Sequence, residues 1–150
     1  MKKITGRRQA REWVVQFLFQ TEFNPGELDQ ALEDFWDDEE KKPLDRDRNY
    51  VNEVIRGVID QQFKIDRTLK RYTDNWDVDR LGALDRTVLR VAVYEMLFRD
   101  DVPPVVSINE AIEIAKAYSG QKSARFVNGV LDRIQKELKR PSRTRNDGNG

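Results

Sequence analysis

Apolar residues recur at a 3.6-residue period from one end of this chain to the other, and no stretch alternates as a strand does. That pattern restricts the fold to packed helices, because an amphipathic helix must bury its stripe against another helix. The most informative segment is Leu84–Phe98. There Leu84, Val88, Leu89, Val91, Ala92, Val93, Met96, Leu97 and Phe98 cover nearly the whole circumference. A helix apolar nearly all round is central and buried.

The other helices arrange themselves around it. The first spans about 6–22 and buries Ala10, Trp13, Val14, Phe17 and Leu18. Asn24-Pro25-Gly26-Glu27 opens a second, because Asn caps, Pro suits the first turn and Glu can reach back. Its stripe is Leu28, Ala31, Leu32 and Phe35, with Trp36 beside it. The third covers about 47–62 around Val51, Val54, Ile55, Val58 and Ile59, and a shorter one at 64–72 carries Ile65, Leu69 and Tyr72. After Pro103-Pro104, Ser107-Ile108-Asn109-Glu110 reads as a capping box starting a helix with Ile108, Ala111, Ile112, Ala115 and Tyr118 inward. Gly120 stops it. Ser123 caps the last helix, striped by Val127, Val130, Leu131, Ile134 and Leu138. The expectation is an all-α single domain of about seven helices over residues 1–138, followed by a basic, disordered tail at 139–150 that has no stripe.

Composition narrows the chemistry. The chain of 150 residues contains no Cys and no His, which excludes disulfides, thiolate–imidazole zinc sites, thiol nucleophiles and His-based triads. No apolar run is long enough to span a membrane, and no apolar segment follows the basic N-terminus as a signal peptide requires. A cytoplasmic protein needing no cofactor is expected. Carboxylates in WDVDRLGALDR (Asp77, Asp79, Asp85) could in principle form a metal cage or an acid–base pair. No phosphate loop or second carboxylate constellation accompanies them, so a helix cap at Asp77 and surface charges explain them better.

Charge is balanced, 27 basic against 27 acidic residues, yet segregated. Lys2, Lys3, Arg7, Arg8 and Arg11 crowd the start without an acid. Residues 27–47 carry ten acids against three bases, and residues 136–145 turn basic again. Binding responds to the local potential, not to the sum. Positive charge at a helix start opposes the macrodipole, so a purpose other than helix stability placed those arginines there.

Two aromatics stand off the core stripes beside this charge. On the first helix Arg8, Val15 and Phe19 cluster nearly opposite the buried stripe, flanked by Arg11 and Glu12. Phe19 is either covered by another helix or a stacking platform for a base. On the last helix Phe126 lies off the stripe beside Lys122, Ser123 and Arg125, at an N-terminus that favours phosphate. Gly129 leaves room for close backbone approach, with helix packing the more ordinary reason for it. Exposed rings beside cations suit single-stranded RNA better than duplex DNA. A helical protein-binding module whose basic clusters are merely solvated remains the alternative. Glu95 shares a face with Leu84, Val88 and Val91, so it must be paired or lie where a partner docks.

These motifs resemble the bacterial transcription antitermination factor NusB family. The matching stretches are RRQARE at 7–12 with Gln16, LDR-VLR-A-YE across 84–95, DVPPVVSINEAIEIAKAYSG at 101–120 and SARFVNGVLD at 123–132. The last two are the most specific. The resemblance implies two small packed helical bundles. It also implies a non-enzymatic factor that, with the ribosomal protein NusE, binds the boxA element of nascent RNA and joins the antitermination complex on RNA polymerase, above all on ribosomal RNA operons. By motif, the family's RNA contacts map onto Arg7, Arg8, Arg11, Phe19, Tyr72, Asp79 and Phe126. Lys122 and Arg125 join them on the physical reading. The partner surface maps onto Asp85, Val88 and Glu95, and such a surface can also serve weak self-association. Gln9 stands where a third consecutive Arg can occur, and Asp79 where a longer Glu can occur.

Overall fold

In the computed structural model, residues 6–23, 26–38, 40–73 and 81–138 are described, the side chains of 22 and 23 excepted. They form seven helices and no strand: α1 (Arg7–Phe23), α2 (Leu28–Trp36), α3 (Asp45–Asp60), α4 (Gln62–Tyr72), α5 (Ala83–Phe98), α6 (Pro104–Ser119) and α7 (Gln121–Leu138). The tail at 139–150, Asp77, Asp79 and the Asn24-Pro25 cap lie outside the described residues.

Helix α5 is the hub the apolar pattern demands, packing against α1, α3, α4, α6 and α7. Thr87 through Leu89 and Val91 through Glu95 are buried along it. Helices α1 and α3 pack together, as do α4, α6 and α7, and the two groups meet directly and share one continuous core through α5. Aromatic edges seat α2 on the first group: Trp36 meets Trp13 and Phe35 meets Phe17, each with ring centres 5.5 Å apart and planes near perpendicular. The Trp36 indole N–H also donates to Asn52 on α3 at 2.9 Å. Gly57 lets α3 approach α5, because a Cβ there would fall 2.2 Å from the Tyr94 ring.

Several local expectations give way to packing. Helix α6 begins at Pro104, three residues before Ser107, since proline's fixed φ starts a helix without any side-chain cap. Ser107 is therefore inside the helix and its hydroxyl is used elsewhere. Ser123 likewise lies inside α7, which follows α6 after the single residue Gly120 at φ +96°, a conformation glycine adopts without Cβ strain. Glu27 precedes α2 but makes no side-chain cap bond. Ile59, Tyr118 and Leu138, expected inward, are exposed. Tyr50, Ile114 and Ala124, outside the expected stripes, are buried.

Candidate nucleic-acid interface

Three arginines open α1, and no acidic residue stands in its first turn. Each meets a different environment. The Arg7 guanidinium lies 3.9 Å above the ring of Tyr50, itself buried on α3, a contact that uses none of its N–H donors. Arg8 makes a two-pronged ion pair with Glu110 on α6: Nε donates to Oε1, and Nη2 donates to Oε2 at 2.9 Å. The Glu110 carboxyl is held below its ordinary range chiefly by that hydrogen bond, with partial burial opposing. Arg8 is correspondingly raised by the same bond.

Arg11 is different. Only 4% of it is exposed, and its Nε donates to Glu95 Oε1 at 3.0 Å; Ser107 Oγ donates to the same oxygen at 2.8 Å. Glu95 itself is 1% exposed. The expected RNA contact at Arg11 and partner contact at Glu95 are thus replaced by a buried pair joining α1, α5 and α6. The physical reason is coverage: α1 packs against α3, α5 and α6, so its off-stripe side is also enclosed. Val15 is buried for the same reason, and Phe19 is partly so.

A second group assembles where the end of α4 meets α7. Tyr72, Thr73, Arg125, Phe126, Gly129, Val130 and Arg133 line an open pocket of about 330 Å³. Arg133 donates to the Tyr72 carbonyl at 3.1 Å and sits 5.9 Å from the ring centre. Phe126 is partly buried against the core, and Arg125 is exposed on the preceding position. A Cβ on Gly129 would meet nothing within 4 Å, so this glycine is not a helix-packing device; it opens the pocket floor. Lys122 is exposed in the first turn of α7, which again contains no acid.

The structure therefore brings Tyr72, Arg125 and Phe126 together, and Arg7 and Arg8 together, on different helices. Asp79 lies outside the described residues. Of the expected partner residues, Val88 is buried in the core, and Asp85 is half-buried and accepts a hydrogen bond from Ser123 at 3.3 Å. Sequence reasoning missed Tyr50, Glu110 and Arg133 as members of the site. The sequence pattern marks Glu110 only as the last residue of the capping box at 107–110. Arg133 lies seven residues, about two helical turns, beyond Phe126, on the same face.

Residues 8–136 match the family model described as the NusB family. A transcription antitermination protein NusB from Methylacidiphilum infernorum is 44% identical over 133 residues, covering 87% of this chain and 91% of that protein. The structure of NusB from T. maritima superimposes with a TM-score of 0.80 at 43% identity, over 90% of this chain and 94% of the other. A structure of antitermination factors NusB and NusE in complex with double-stranded RNA shares the fold with a TM-score of 0.78 at 24% identity, over 87% and 96% of the two chains.

Proposed function

The chain belongs to the NusB family, and from that premise we propose that it is an RNA-binding antitermination factor that, together with NusE, engages the boxA element of nascent ribosomal RNA in the cytoplasm and joins the antitermination complex on RNA polymerase. The role is one of binding, with no reaction to catalyse. The observation that carries it is the pocket between α4 and α7. Tyr72 and Phe126 offer aromatic surface to an unstacked base, and the exposed Arg125 offers donors to its phosphate. Arg7 adds an exposed cation on α1, and Arg8 one that is paired with Glu110. A duplex keeps its bases stacked, so this pocket favours a single strand.

Val88 and Glu95 are buried, which leaves the half-buried Asp85 as the carried-over residue for NusE. Weak self-association of the free chain belongs to the same reading, with sedimentation as its readout. The functional test is RNA binding with and without NusE, comparing a boxA-like strand, a scrambled strand and a duplex. Selective binding of the boxA-like strand is expected. Phe126→Ala should weaken it by about 1–3 kcal/mol at unchanged salt dependence. Arg125→Ala should flatten the log–log salt slope by roughly 0.7. Unaltered RNA affinity in both variants, with helicity intact by circular dichroism, removes the proposed surface.

A further inference from the structure

We propose that Glu110 is an intramolecular competitor for RNA phosphate at Arg8, so that the free chain holds one arginine of its basic start already neutralised. The proposal rests on the RNA-binding reading above. Its basis is the geometry of the pair. A guanidinium has five N–H donors in a planar fork, and the Nε–Nη2 edge is one of the two edges that match a carboxylate or phosphate in two-pronged fashion. Glu110 occupies that edge. The occupant is not a loosely held surface side chain: Glu110 is 19% exposed and Arg8 50%, so the carboxylate is anchored on α6 and the arginine is the solvent-facing member. Glu12 and Glu113 also lie close enough to act on Arg8. A phosphate approaching Arg8 therefore meets the Glu110 carboxylate on the guanidinium edge, with the charges of Glu12 and Glu113 also felt there.

Arg7 supplies the contrast. One residue away, its guanidinium rests on the face of Tyr50, where the ring holds it without occupying a donor. Two adjacent arginines are thus held in different ways: Arg7 against a ring, with Asp101 near enough to feel its charge, and Arg8 with one guanidinium edge taken by a carboxylate. A cation in the first turn of α1 is unfavourable for the macrodipole, and no acid in that turn offsets it. The charge is met instead from another helix, at the place where an anion would bind.

The experiment measures single-stranded RNA binding by the full chain, wild type, Glu110→Gln, Arg8→Ala and the double variant, across a salt series. Glutamine keeps the shape and one acceptor but removes the charge and the two-pronged match. Glu110→Gln should tighten binding by about three- to tenfold at low salt and steepen the salt slope by up to roughly 0.7, the contribution of one phosphate on a single strand. Arg8→Ala should cost little in the wild type and several times more in the Glu110→Gln background, a non-additivity that identifies the pair. Equal or weaker binding by Glu110→Gln, or additive effects in the cycle, overturns the proposal. Phe126→Ala is run alongside. If it weakens binding while Glu110→Gln does nothing, the competitor alone is wrong; if no form binds RNA, the functional reading falls with it.

Discussion

Arg8 and Arg11 stand one turn apart on α1, and each pairs with a glutamate from a distant part of the chain, yet the two pairs have opposite physical characters. Arg11–Glu95 is enclosed, with both side chains almost wholly out of water and Ser107 adding a hydrogen bond to the shared oxygen. Arg8–Glu110 sits at the rim with half of the arginine side chain in solvent. Desolvation separates them. A buried pair is costly to break because the surviving charge has no water to return to, whereas a rim pair exchanges its partner for water at little cost. The arginine-rich start of α1 is therefore not one electrostatic patch. Its third arginine fixes α1 to α5 and α6, its second is held at the rim by Glu110, and its first rests on the Tyr50 ring.

The largest effect should come from breaking the enclosed pair. Arg11→Ala removes the cation partner of the buried Glu95, which costs about 3–5 kcal/mol. Urea unfolding followed by circular dichroism reads it directly, and a loss under about 1 kcal/mol would place Arg11 with the rim arginines after all. The comparison sharpens with a replacement that removes both charges. Arg11→Met with Glu95→Leu and Ser107→Ala leaves no orphaned charge or hydroxyl, and should recover most of that stability, since apolar substitutes of similar volume are often neutral or stabilising in place of a buried pair. If the triple variant is as unstable as Arg11→Ala, packing shape and not charge is what the pair supplies.

The sequence made the scaffold legible and the site only partly so. Trp13, Val14, Phe17, Val54, Val127 and Leu131 repeat at helical spacing, and all are buried as the period requires. The apolar circumference of 84–98 identified the hub helix. Periodicity reports which side of a helix is apolar, but not how many neighbours enclose it. Hence Arg11 and Val15 read as surface residues, although α1 is covered by α3, α5 and α6. Capping patterns failed for a related reason. Ser107 and Ser123 have hydroxyls that satisfy distant carboxylates, Glu95 and Asp85, in place of local amides. Those partners are 12 and 38 residues away, beyond what a four-residue motif can register. Tyr72 and Phe126 were each singled out, but the pocket they share, with Arg133 across it, exists only once α4 packs on α7.

The smallest effect tests the rim pair by its titration. Arg8 depresses the Glu110 carboxyl below the ordinary 4.5, so the folded state favours the ionised form more than the unfolded state does. The pair's contribution is then fully present above that ordinary value and is lost as pH falls through the lowered folded one. Its size is a fraction of about 1 kcal/mol, because half of the arginine is in water and salt screens the interaction. Comparing wild type with Arg8→Ala should show a small melting-temperature difference near pH 7, shrinking below pH 4.5 and further reduced by high salt. A large, salt-insensitive difference would mean that Arg8, like Arg11, holds the fold together, and the contrast between the two arginines would collapse.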